Sequence, residues 1–148
     1  MKAAVLAAVA AVALLVSGGC RKSRGQTAPA RTAESSLVQI SVLFGRYSSR
    51  HRGRGPGSEA EFRRFIAEHG RRSLTAAAVS SIDELLTSPR DKQPFQVRYG
   101  LKAGPPGTPG GRIVAYETTG VNGSRLVVDP LGKVREVDQQ ELEELLKD

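Results

Sequence analysis

The sequence predicts an α+β domain: N-terminal helices come first, an antiparallel meander of three or four strands follows, and a C-terminal helix closes the fold. Three observations support this prediction. Between residues 34 and 88 the apolar residues recur at helical spacing, whereas from Pro94 onward they alternate with polar ones. An Asn-Gly pair in the second half is a strong hairpin signal. Helices followed by strands are typical of the α+β class.

The first helix is predicted over residues 34–49. Its apolar residues have helical spacing, and they are Leu37, Ile40, Leu43, Phe44 and Tyr47. The stretch HRGRGPG at residues 51–57 then breaks the helix, because glycine and proline both disfavour its continuation.

Two further helices are indicated by capping-box spacing, in which a serine precedes a glutamate by three residues. Ser58 and Glu61 open the second helix, and Gly70 is a suitable stop. A short third helix is predicted in SIDELL, residues 81–86, and Pro89 ends it. The apolar stripe of the second helix consists of Phe62, Phe65 and Ile66.

Strands follow from Pro94, where the apolar period changes to two. GVNG at residues 120–123 predicts a hairpin, whereas AGPPGTPGG at residues 103–111 predicts a mobile loop. Asp138 then caps the last helix, with Glu141 three residues on. The strands are predicted at residues 95–99, 112–118, 125–129 and 133–137, and the last helix turns Leu142, Leu145 and Leu146 inward. Residues 34–148 therefore form a single small domain with a mostly aliphatic core.

The leader, residues 1–19, is predicted to be a secretory signal peptide. Lys2 precedes the uncharged apolar run Ala3–Val16, and small residues follow it. The run is shorter than the roughly 20 residues that a membrane-spanning helix needs. Cys20 is the only cysteine, so a disulfide within the chain is excluded.

The stretch VSGGC resembles the relaxed lipobox of bacterial lipoproteins. The resemblance implies that the thiol of Cys20 takes a diacylglycerol and that Cys20 becomes the lipidated N-terminus. That family favours leucine three positions before the cysteine, where this chain has Ser17. The alternative is ordinary export, with cleavage near Gly19 or after Ala30.

Residues 20–33 are predicted to be a lipidated cysteine and a flexible basic linker. They are polar, contain glycine and proline, and lack any apolar period. The cations of the linker are Arg21, Lys22, Arg24 and Arg31. Beside a lipid anchor they favour an anionic membrane surface, although plain solubility explains them as well.

The folded part resembles the globular domain of type II secretion pseudopilins. YSSRHRGRGPGSEAEF at residues 47–62 and SPRDKQPFQVRYG at residues 88–100 are similar to the helix-end and turn motifs of that family. The resemblance extends over residues 34–129 and implies a helix-then-sheet fold and a place in a secretion or pilus-like assembly. The prepilin leader and the tryptophan of the turn motif are missing.

No catalytic or metal site is predicted, and the chain is expected not to be an enzyme and to need no cofactor. His51 and His69 lack ligand partners at metal-binding spacing, and neither a nucleophile elbow nor a phosphate loop occurs. Asp91 with Asp129 is the alternative, a calcium site of the kind that pseudopilin loops hold, but no dense run of carboxylates accompanies these two residues. Candidate acids for a hydrolase are Asp83, Glu84, Glu141, Glu143 and Glu144, which helix capping and solvated helix faces explain better.

Charge is distributed unevenly along the domain. Residues 46–72 hold eight arginines against three glutamates, and residues 129–148 are mostly acidic. The predicted patch for an anionic partner consists of Arg46, Arg50, Arg52 and Arg54. Nucleic acid is not expected, because it is a poor partner for an exported protein. The alternative is that arginine serves only for solubility.

The sequence therefore predicts an exported protein, anchored by lipid on Cys20 to a membrane of the cell envelope, with a structural or binding role. Its partners are expected to be the membrane and an anionic envelope component. The alternatives are an accessory component of a secretion or pilus-like assembly and, less favoured, an exported soluble hydrolase.

Overall fold

The computed structural model describes residues 30–102 and 112–147. The leader, Cys20 and the glycine- and proline-rich stretch 103–111 lie outside the described residues. The elements run in chain order: α1 Ala33–Arg50, α2 Glu59–His69, α3 Arg71–Ala76, α4 Ile82–Leu85, β1 Gln96–Val97, β2 Ala115–Tyr116, β3 Ser124–Val128, β4 Val134–Asp138 and α5 Gln139–Leu146. This order confirms the predicted α+β fold, with helices first, a strand meander and a closing helix.

The sheet is a simple antiparallel meander in the order β1-β2-β3-β4. The predicted hairpin joins β2 and β3. Val121 and Ser124 exchange backbone hydrogen bonds of 2.9 and 3.0 Å around the Asn-Gly pair. Asn122 and Gly123 both have positive φ, at 53° and 81°, which is the type I′ turn that matches strand twist.

Helix starts follow the predicted serines and aspartate. Ser58, Ser81 and Asp138 each accept a hydrogen bond from the backbone amide three residues on. The reciprocal half of the predicted capping boxes does not form, because Glu61 accepts from the amide of Gly57 at 2.8 Å and Glu84 accepts from Ser80 instead. Both carboxylates still hold the chain just before their helix.

Gly70 ends α2 as predicted, but it stays right-handed at φ −89°, and α3, which was not predicted, begins at the next residue. The boundary of the linker differs from the prediction. Arg31 belongs to the fold and not to the linker, since its Nη2 donates to the carbonyls of Glu84 and Thr87, both at 2.7 Å. Ala33 is 1% exposed, so the folded part begins at Arg31.

The sheet separates two apolar clusters. Along β3, Leu126 and Val128 face the larger cluster with α1, α2 and α4, whereas Val127 faces the smaller cluster with Leu142 of α5. Side chains alternate between the faces of a strand, so α1 and α5 cover opposite faces of the sheet. None of the described helices is long and apolar enough to span a membrane.

Candidate anion-binding site

An open cleft of about 750 Å³ lies between the C-terminal half of α1 and the junction of α2 with α3. We call it the arginine cleft. It is lined by Gly45, Arg46, Ser49, Arg50, Phe65, Glu68, His69, Arg71 and Arg72. Four arginines from two separate stretches of the chain therefore converge on one concave surface.

The helices position these arginines from two sides. Arg46 and Arg50 are four residues apart on α1, so they lie one above the other on the same face. Arg71 and Arg72 open α3 directly after the turn at Gly70. A Cβ at Gly70 would lie 2.5 Å from the carbonyl oxygen of Ile66, so this close turn requires glycine.

The floor of the arginine cleft is aromatic. Phe65 is only 6% exposed, and the guanidinium carbon of Arg50 lies 5.6 Å from the centre of its ring. The rings of His69 and Tyr47 approach Phe65 edge to face, at 4.8 and 5.3 Å between centroids. A cation above an aromatic face is favourable, so Phe65 supports Arg50 without neutralising its charge.

The cleft arginines form no ion pairs with the described residues, although the carboxylate of Glu68 shares the lining with them. Over residues 30–102 and 112–147, no carboxylate lies within ion-pair distance of Arg46, Arg50, Arg71 or Arg72. By contrast, Arg63 pairs with Glu59 at 2.6 Å and with Asp83 at 2.7 Å. Planar guanidinium groups bind phosphate and carboxylate through paired hydrogen bonds, so the cleft is suited to an anion.

The predicted patch is only partly assembled. Arg46 and Arg50 line the arginine cleft, whereas Arg52 and Arg54 do not. Arg52 lies in the turn after α1 with a φ of 55°, and Arg54 forms a β-bridge with Lys102. The other two arginines that line the cleft are Arg71 and Arg72, which belong to the arginine-rich residues 46–72 but not to the predicted patch.

A second, smaller cavity of about 240 Å³ adjoins the arginine cleft, and we call it the side cavity. It is lined by Phe44, Gly45, Ser48, Ser49, Gly53, Leu101, Lys102, Arg112, Val114 and Pro130. Ser48 is 5% exposed, and its hydroxyl has no hydrogen-bond partner in the described part of the chain. Nothing in the sequence pattern indicated this cavity, because its walls come from distant segments.

The candidate acids have local partners. Asp83 pairs with Arg63, and Glu141 pairs with Arg135 at 2.6 Å. The two aspartates of the calcium alternative hold separate turns: Asp91 accepts from the amides of Thr119 and Gly120, and Asp129 from those of Leu131 and Lys133. Partial burial raises the pKa of Asp91, but the amides of Gln93, Gly120 and Thr119 outweigh it and lower that pKa. Among the described residues, no three His, Cys, Asp or Glu side chains cluster as metal ligands.

The two histidines are both exposed, as predicted. The ring of His51 stacks on Tyr47 at 3.8 Å between centroids. The Tyr47 hydroxyl donates to the carboxylate of Glu61, and this hydrogen bond raises the pKa of Tyr47 and lowers that of Glu61. His69 lies 3.7 Å from Glu68 at the rim of the arginine cleft. Tyr47 and Glu61 thus join α1 to α2 beside the cleft.

A buried carboxylate was missed by the sequence analysis. Glu117 is 0% exposed, and it accepts hydrogen bonds from the Ser88 hydroxyl at 2.6 Å and from the Leu126 amide at 3.0 Å. Nε of Arg90 lies 3.7 Å from Glu117, and its Nη2 lies 2.8 Å from Glu136. The network joins the loop after α4 to the middle of the sheet.

Comparison of the chain with protein-family models, with curated proteins and with solved structures gave no match. The lipoprotein and pseudopilin resemblances therefore stay predictions.

Proposed function

We propose that this chain is a lipid-anchored protein of the cell envelope whose domain binds an anionic partner through the arginine cleft. The observation that supports the proposal is the convergence of Arg46, Arg50, Arg71 and Arg72 around one concavity, where none of the four forms an ion pair with a carboxylate of the described residues. Like charges that lack ion-pair partners repel one another, and a bound anion relieves that repulsion. The role is binding, with no chemical step.

The tether enters the domain far from the cleft. Arg31 fixes the chain beside α4, at the N-terminal end of α1, whereas Arg46 and Arg50 lie near its C-terminal end. A helix rises about 1.5 Å per residue, so roughly 25 Å separate the two ends. This separation supports a domain that holds its anionic partner at the end opposite its membrane anchor.

The cleft is tested by a pair of double charge reversals. We expect Arg71→Glu with Arg72→Glu to weaken binding of short-chain polyphosphate by about tenfold or more, a loss of ~1.4 kcal/mol. Arg52→Glu with Arg54→Glu makes the same change of net charge outside the cleft, and we expect less than about a twofold effect. Calorimetric titration at low and at physiological salt measures both. Equal losses in the two variants would mean that net charge, and not the cleft, binds the anion.

The anchor is tested separately by Cys20→Ser. We expect the wild-type protein to fractionate with membranes, with an intact mass that shows a lipidated N-terminus at Cys20. The variant is expected to leave the membrane fraction, because about 0.8 kcal/mol of membrane affinity per buried methylene is lost. A soluble protein of unmodified mass in both cases would remove the anchor from the proposal and leave the binding cleft.

A second candidate is an accessory role in a secretion or pilus-like assembly. The long helix α1 packs against β2 and β3 of an antiparallel sheet, and this arrangement favours that candidate. Its test is co-purification of the tagged chain with pseudopilin-like proteins from envelope extracts. Absence of such proteins from the purified complex would leave the binding role.

A further inference from the structure

The arginine cleft and the side cavity meet on the surface of α1. Gly45 and Ser49 line both, so one turn of helix is the ridge between them. A Cβ added at Gly45 would meet no atom within 4 Å, and the hydroxyl of Ser49 folds back to the carbonyl of Gly45 at 2.9 Å. The ridge is therefore low, and an extended ligand has an open path across it.

The two concavities differ in chemistry. The arginine cleft is cationic, whereas the side cavity has apolar walls from Phe44, Leu101, Val114 and Pro130. Lys102 and Arg112 add two cations to its lining. Ser48 also belongs to the lining, but its hydroxyl oxygen is buried from solvent, so the surface that the side cavity offers a ligand is apolar apart from these two cations.

We propose that the arginine cleft and the side cavity together bind one molecule of an anionic phospholipid. The phosphate lies among Arg46, Arg50, Arg71 and Arg72, and one acyl chain crosses Gly45 into the side cavity. This inference rests on the proposed function, because it names the chemical class of the anion that the cleft takes.

Charge and shape both favour a lipid over a fully hydrated anion. Guanidinium groups match the geometry of phosphate, whereas the apolar walls of the adjoining side cavity add affinity only for a ligand that also has an apolar part. Glycine within a helix is destabilising relative to alanine, and no neighbouring atom would clash with a Cβ at Gly45, so packing does not explain the glycine. An unobstructed path for an acyl chain gives Gly45 a role.

The experiment compares dihexanoyl phosphatidic acid, kept below its micelle concentration, with glycerol phosphate. Binding is measured by calorimetry on the full chain carrying Cys20→Ser, so that no lipid of its own competes. We expect the acylated probe to bind about tenfold more tightly or better, the effect of burying roughly two methylenes. Equal affinity for the two probes would overturn the lipid inference and leave the anion-binding cleft. Failure of both probes to bind would overturn the inference together with the anion-binding part of the proposed function, and it would leave the anchor to its own test.

Gly45→Leu tests the path across the ridge. Leucine is the better helix former and enters open space, so the variant is expected to fold. We expect it to lose most of the gain from the acyl chains while its affinity for glycerol phosphate stays within about twofold, since no charge changes. Ala60→Leu, at an exposed position of α2, is the matched control and is expected to keep the gain. If Gly45→Leu binds the lipid as the wild type does, the path is wrong.

Discussion

Glu117→Ala is expected to destabilise the domain by about 3 kcal/mol or more, because two buried hydrogen-bonding groups lose their acceptor and the missing atoms leave a cavity. The side chain is completely buried, and its loss leaves the Ser88 hydroxyl and the Leu126 amide without their acceptor. Each buried group left unsatisfied costs about 1–3 kcal/mol. The cavity left by the missing atoms adds to that loss.

Denaturant unfolding measures the effect, and two variants bracket it. Glu117→Gln keeps an acceptor for Ser88 and fills the same space, so we expect a smaller loss of unfolding free energy. Glu143→Ala removes an exposed carboxylate of α5, and we expect a change within about 0.5 kcal/mol. If the unfolding free energy of Glu117→Ala lay within about 1 kcal/mol of the wild-type value, the network would contribute far less than the ~3 kcal/mol expected of it.

Binding should be separable from this loss of stability. Neither Glu117 nor its partners Ser88, Leu126 and Arg90 line the arginine cleft or the side cavity. Under conditions where the variant is still folded, its affinity for glycerol phosphate is therefore expected to match that of the wild type. The network holds the sheet together, and the cleft lies elsewhere on the fold.

Local signals in the sequence predicted the starts of the elements. Ser58, Ser81 and Asp138 cap helices because each hydroxyl or carboxylate needs only the amide three residues on. The Asn122-Gly123 turn was predictable for the same reason, because its positive φ angles are a property of two adjacent residues. Such features depend on a few neighbouring residues, which a single sequence displays.

The features that were missed depend on distant residues. Glu117 lies in a stretch that predicted an ordinary strand, and its burial is possible only because Ser88, 29 residues away, donates to it. The arginine cleft has the same origin: Arg71 and Arg72 reach Arg46 and Arg50 only because the chain continues from Gly70 directly into α3. Spacing along the chain indicated a basic segment, but not which of its arginines converge.

Gly120→Ala is the second substitution for which we expect a large effect, about 3 kcal/mol of lost stability from left-handed strain of ~1–2 kcal/mol plus overpacking. Gly120 has a φ of 75°, and a Cβ there would lie 2.1 Å from the backbone carbonyl oxygen of Ser124. The clash is with backbone of the same hairpin, so a side-chain rotation cannot relieve it. The amide of Gly120 also donates to Asp91 at 2.8 Å, and any shift weakens that contact.

Gly123→Ala is the matched control within the same turn. Gly123 has a similar φ of 81°, but a Cβ there would meet no atom within 4 Å. We therefore expect it to lose only the left-handed strain, about 1–2 kcal/mol. Thermal and denaturant unfolding of both variants separate the two contributions. Equal losses of stability in the two variants would mean that backbone strain alone explains the need for glycine. A larger loss for Gly120→Ala would show that close packing within the hairpin fixes the register of β2 and β3. That register in turn fixes the position of Val114 in the wall of the side cavity.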